Sequence, residues 1–185
     1  MMNSSNTAGY QEVNEITNLY ENIPQYKKYE FTLHLIRPKT FTIDFRIPDW
    51  IMSEAVILLN DTIYDKTADS SKFYKVNREW REGDRVSIIL PIGIRFITLP
   101  DEKNLGAFRY GPEALAGICD NERILYVEKE DPAAEITMEN EREWGSWRYF
   151  FKTVNQNPAI SLRRIRDIGY EPFQVYFKIK RRKEN

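Results

Sequence analysis

Residues 40–50 read Thr-Phe-Thr-Ile-Asp-Phe-Arg-Ile-Pro-Asp-Trp, and this stretch decides the fold class. Phe41, Ile43, Phe45 and Ile47 alternate with Thr42, Asp44 and Arg46, the period-2 pattern of a strand with one buried and one wet face. Pro48 supplies no ladder donor and ends the strand. Working outward, Ala55–Leu59 is a continuous apolar run, and Asn60-Asp61 stands where a tight two-residue hairpin favours Asn-Gly. Phe73–Asn77 and Arg85–Leu90 are two further strands, with Arg81-Glu82-Gly83-Asp84 as the turn between them.

On the N-terminal side, Phe31, Leu33 and Leu35 alternate with Thr32 and His34. Alternation resumes at Phe41 after Arg37-Pro38-Lys39, and a hairpin is the simplest pairing. Residues 1–25 are polar, with only Val13, Ile16, Leu19 and Tyr20 at helical spacing, and are read as a flexible lead-in. On the C-terminal side, Ile94–Leu99 is a strand, Gly111-Pro112 is a break after Ala107–Tyr110, and Glu113–Ile118 and Glu122–Val127 form a pair. Glu128–Glu143 is charged and poor in apolar residues, the expected long loop. Trp147–Thr153 and Phe173–Lys180 are the last strands, flanking Pro158–Ile168. Many short strands separated by Gly, Pro and Asn predict an all-β, antiparallel β-sandwich of jelly-roll-like type over residues 26–185.

Composition agrees with that expectation. Aromatic residues make up 14% of 185, a fraction suited to half-buried pleated surfaces rather than to a helix bundle. Lys plus Arg number 27 against 28 Asp plus Glu, so the net charge of −1 gives no reason to expect nucleic acid or an anionic membrane as partner. The sequence shows neither a signal peptide pattern nor a span-length apolar run, which predicts a soluble chain of unassigned compartment.

Three segments in the same order resemble the C-terminal β-sandwich region of glycoside hydrolase family 127, the β-L-arabinofuranosidase family first described as an uncharacterised bacterial domain. They are Arg46-Ile47-Pro48-Asp49-Trp50, the run ending in Asn60-Asp61 where the family has Asn-Gly, and Trp80 through Gly83-Asp84 to Leu90-Pro91. Arg109-Tyr110-Gly111-Pro112 is similar to the family's Arg-Gly-Pro strand, with Tyr110 interposed, and Val175-Tyr176-Phe177 to its terminal strand. The resemblance spans about residues 30 to 180. It implies carbohydrate degradation by a helical barrel that precedes such strands in the family, where cysteines and a glutamate hold zinc, one cysteine being the nucleophile. No barrel is visible in this sequence, so the resemblance implies an accessory domain that supports a catalytic helical barrel on the same or a separate chain.

The residue inventory points the same way. Cys119 is the single cysteine, and His34 the single histidine. A thiolate nucleophile needs a metal, a cation or a helix N-terminus to lower its pKa, and Cys119 sits between Gly117-Ile118 and Asp120-Asn121 with no second cysteine. Asp65 with Asp69, or Asp120 with Glu122, is too small a set of oxygen ligands for calcium. No catalytic residue, metal or cofactor is assigned. Trp144-Gly145-Ser146-Trp147-Arg148-Tyr149-Phe150-Phe151 is the one candidate ligand surface, because sugars stack on exposed rings. Strand phase places Trp147, Tyr149 and Phe151 together, which favours core packing over a sugar platform. Trp144, Trp147 and Tyr149 are the residues a carbohydrate-binding module, the alternative function, would use. Self-association through an apolar docking face is a further expectation.

Overall fold

A computed structural model describes residues 25–67, 72–143 and 146–182, with side chains described outside residues 140–149. The fold is all-β: among the described residues the only helical pieces are two short 3-10 turns. The chain divides into two compact units between Ile92 and Gly93.

The N-terminal unit holds β1 (Tyr26–Thr32), β2 (Lys39–Ile47), β3 (Ala55–Leu59), β4 (Thr62–Thr67), β5 (Lys72–Trp80) and β6 (Arg85–Pro91). They form a four-stranded sheet in the order β1-β6-β3-β4 and a two-stranded sheet of β2 with β5, all antiparallel. The expected hairpin between residues 31–35 and 41 onward is therefore corrected: β1 pairs with β6, and β2 crosses to the other layer to pair with β5. Both strands carry an inward row of large apolar side chains. Across the layers Phe31 meets Phe45 with ring centroids 5.8 Å apart.

Two turns follow the sequence. Asn60 and Asp61 both take positive φ, 49° and 66°, between directly paired Leu59 and Thr62, the backbone of a type I′ hairpin. Asp84 fixes the β5–β6 turn by accepting from the Arg81 amide at 2.9 Å and the Asn60 side-chain amide at 2.9 Å. All five residues of β3 are buried, as are the last six of β6, so this part of the sheet is covered on both faces.

The C-terminal unit holds β7 (Ile94–Thr98), β8 (Leu105–Tyr110), β9 (Glu113–Ile118), β10 (Ile124–Val127), a 3-10 turn (Pro132–Glu135), β11 (Ile136–Glu143), β12 (Ser146–Thr153), β13 (Ser161–Arg164), a second 3-10 turn (Ile165–Asp167), β14 (Phe173–Gln174) and β15 (Tyr176–Arg181). The sheet order is β10-β15-β8-β9-β13-β12-β11, with β7 also on β8 and β14 also on β9. The pairs are antiparallel except β10 with β15. Phe108, Leu115, Phe151, Leu162 and Phe177, all at 0% exposure, form the core.

Two expectations are corrected in this unit. Residues 113–118 and 122–127 do not pair: β9 lies against β8, β13 and β14, and β10 against β15. The expected loop 128–143 is a bend followed by β11, which pairs only with β12 at the end of the sheet, where an edge strand needs few apolar residues. The bend is set by Glu135. Its carboxylate, 3% exposed, accepts from the main-chain amides of Glu128 (2.9 Å) and Lys129 (3.0 Å) and from the Asn155 side chain (2.6 Å).

Candidate functional site

Cys119 follows β9 directly. Its amide donates to the Pro172 carbonyl at 3.1 Å, and its sulfur lies 3.5 Å from the Gly117 carbonyl and 3.8 Å from Gln174 Oε1. Burial pushes the thiol pKa up, outweighing the nearby Arg123 charge. A raised pKa favours the thiol, which neither attacks carbon nor ligates metal well. Around it lies a shallow recess of about 260 Å³ that includes Asp120, Asn121, Glu122 and Phe173. Gln174 holds this loop, accepting from the Arg123 amide at 2.7 Å and donating to the Arg123 carbonyl at 3.0 Å.

His34 lies beyond the end of β1 on the surface, its side chain 78% exposed, with Nδ1 3.0 Å from Glu82 Oε1. The Glu82 carboxyl, which also accepts from the Leu35 amide, is held below the usual carboxylate range, first by His34 and then by that amide. Asp65 accepts a hydrogen bond from the Tyr74 hydroxyl; burial and this bond push the Tyr74 pKa up to about 12. Asp69, the other half of that candidate pair, lies outside the described residues. Among the described residues no group of three or more His, Cys, Asp and Glu is placed to hold a metal ion.

The aromatic candidates divide. Trp144 lies outside the described residues, and Trp147 and Tyr149 lie in β12 with side chains outside them. Phe151 is fully buried, with its ring centroid 5.0 Å from that of Tyr110. The Phe150 ring carries the Arg163 guanidinium at 5.1 Å.

One apolar opening was not foreseen from the sequence. It is a cleft of about 450 Å³ between the two layers of the N-terminal unit, floored by Val86, Ile88 and Leu90 and walled by Phe31 on β1 and by Ile43 and Phe45 on β2. Tyr29 and Phe31 at its mouth are 44% and 47% exposed. Alternation put Phe31 on an apolar phase, but only the spacing of the layers leaves it half covered. No described helix is long and apolar enough to cross a membrane.

Comparison with known proteins places this geometry. Residues 4–92 match the family described as beta-L-arabinofuranosidase, GH127 middle domain, and the match ends at the boundary between the two units. Among curated proteins none matches the chain. A solved structure named as a glycoside hydrolase is similar over 84% of this chain and 31% of its own, with TM-score 0.62 and 17% identity. A second, named as a GH127 beta-arabinofuranosidase, is similar over 84% and 31%, with TM-score 0.59 and 13% identity. At such identities the likeness is one of fold, and it extends across more of the chain than the family pattern does. In family pattern over residues 4–92, and in fold over most of its length, the chain is thus similar to a β-sandwich region of glycoside hydrolase family 127, spanning 31% of those two structures.

Proposed function

We propose that this chain is a non-catalytic accessory β-sandwich of a family 127-like glycoside hydrolase, supporting a catalytic helical barrel, on the same or a separate chain, in carbohydrate degradation. The observation that carries the reading is the family match over residues 4–92 together with a likeness covering 31% of solved relatives. The thiol chemistry supports it: Cys119 is the only cysteine and its pKa is raised, the opposite of what a nucleophilic or zinc-bound sulfur needs. The chain's own part is then mechanical: its sheets present a rigid face rather than a reacting group. Asp84 and Glu135 lock the turns that set strand spacing, and exposed apolar side chains such as Phe73 and Tyr176 offer area for docking or self-association.

The purified chain is expected to leave an aryl arabinofuranoside intact and to bind no stoichiometric zinc. Turnover abolished by Cys119→Ser overturns the accessory role in favour of an enzyme. An independent carbohydrate-binding module is the competing function, and calorimetric titration with arabinan oligosaccharides separates the two. Saturable binding lost in Trp144→Ala, Trp147→Ala or Tyr149→Ala, in a variant that melts normally, promotes the binding module; no heat of binding supports the accessory role.

A further inference from the structure

We infer that the open edge of β2 pairs with the same edge of a second copy of this chain, antiparallel across a two-fold axis through Phe45. Among the described residues β2 pairs with β5 alone, so its other edge presents main-chain groups that no described strand takes up. Sheet edges are commonly guarded by Lys, Pro or a bulge. In β2 the register with β5 runs unbroken from Lys39 to Ile47, and Lys39 and Pro48 stand only at its two ends. The apolar cleft of about 450 Å³ opens beside this edge, and its only charged lining residues are Asp44 and Arg46. Both are exposed on the outer face of β2, and neither has an ion pair among the described residues.

These two charges select the partner and the register. Side chains alternate along β2, so a second copy keeps its inner face inward only when inward residues meet inward ones. With the axis on Asp44 or on Arg46, like charges meet; with the axis on Ile43, each charge meets a threonine. With the axis on Phe45, Asp44 of each copy faces Arg46 of the other, and Ile43 faces Ile47. Asp44 then lies between that arginine and Lys75, its neighbour across β5. The rings fit the same axis. Phe31, 47% exposed, lies 5.8 Å from Phe45, and Tyr29, 44% exposed, lies on the same end strand of the other layer beside the cleft. A copy set on the Phe45 axis covers both rings from the open side, which is favourable because apolar area leaves water. The pairing needs no barrel, and its failure leaves the accessory role untouched.

Sedimentation of the full chain over a range of concentrations is expected to show a monomer–dimer equilibrium that weakens with added salt. Asp44→Arg and Arg46→Asp each set like charges across the axis, and each variant alone is expected to dimerise at least about tenfold more weakly. Mixed in equal amounts, the two variants restore both opposite-charge pairs and form a heterodimer as tight as the parent dimer. A parent that stays monomeric overturns the proposal, as do variants that dimerise like the parent or gain nothing on mixing. The register is read on the chain with Cys119→Ser and Thr42→Cys, carrying a nitroxide on the new cysteine. An axis on Phe45 puts the two labelled Cα atoms about 20 Å apart, whereas an axis on Ile43 brings them within about 10 Å. A dimer whose label distance departs from the longer value overturns the proposal too. That measurement keeps both charges in place, so it decides the matter even if a charge variant fails to fold.

Discussion

The two units bury aromatic side chains differently. In the C-terminal unit one group of rings is sealed, with Phe108, Phe151 and Phe177 all at 0% exposure and Phe108 4.9 Å from Phe96 and 5.9 Å from Phe177, while Phe173 and Tyr176 stay exposed at its surface. The N-terminal unit has a sealed Trp80 but leaves Phe31 at 47% and Phe73 at 59% exposure, with a cleft between its layers. Its sequence pattern is the more regular of the two, yet it leaves an apolar cleft between its layers. Periodicity therefore specifies which face a side chain takes, and says little about how closely the opposing layer fills it.

That contrast is broken most directly by ring deletion. Phe108→Ala removes a fully enclosed ring and is expected to destabilise by about 3–5 kcal/mol, because the neighbouring rings and strands relax only partly into the void. Phe73→Ala, on the outward face of β5, is expected to change stability by no more than about 0.5 kcal/mol. Urea unfolding of the two variants beside the parent reads the difference. Equal costs mean that the outer face of β5 is covered in solution, and the N-terminal unit is then no more open than its partner.

A second, smaller test uses glycines. Gly106 on β8 has no room for a methyl group: a Cβ there would lie 2.4 Å from the Ile97 carbonyl oxygen and 2.7 Å from the Phe96 ring. A main-chain oxygen in a ladder cannot step aside, so Gly106→Ala is expected to cost about 1–3 kcal/mol. Gly83, in the β5–β6 turn, has open space around it and a φ of +80°, and Gly83→Ala is expected to cost about 1 kcal/mol through backbone strain alone. Thermal melts check both. A neutral Gly106→Ala shows that β7 and β8 separate easily, and the close packing of the C-terminal unit is then overstated.

What the sequence made legible follows from the same physics. Alternation at Phe41–Ile47 located β2, and Asn60-Asp61 located a turn whose positive φ angles those residue types tolerate. Alternation names no partner, however, and Phe31 and Phe45 look alike in sequence whether they lie side by side or face to face. The β11 strand was hidden because an edge position asks for little burial, so its Glu139 and Glu141 read as loop. At the candidate sites, the sequence offered only a lone Cys119 and a lone His34. Gln174 gave no signal, because its role comes from meeting a loop 51 residues away. The cleft gave none either, since it is a gap between layers and has no sequence of its own.

The finest test compares the carboxylates that fix one turn in each unit. Asp84 is held below the usual carboxylate range by the Asn60 side chain and the Arg81 amide, which outweigh its burial. Glu135 is pushed up by burial, but the amides of Lys129 and Glu128 and the Asn155 side chain more than reverse this, and its pKa is also lowered. A carboxyl whose folded pKa lies below its unfolded value binds fewer protons in the folded state over the interval between the two. Its contribution is therefore fully present above the unfolded value and is lost as pH falls through the folded one. Glu135→Gln and Asp84→Asn are each expected to cost about 1 kcal/mol at neutral pH, since each replaces a charge-assisted acceptor with a neutral one. The cost should shrink as the parent carboxyl takes up its proton, so the melting temperatures of parent and variant converge as pH falls below the ordinary carboxylate range. Glu135 binds two main-chain donors where Asp84 binds one, and its variant should show the larger gap at neutral pH. Melting profiles that run parallel to the parent through the whole acid range would show that neither carboxylate draws stability from its charge, leaving shape alone to hold both turns.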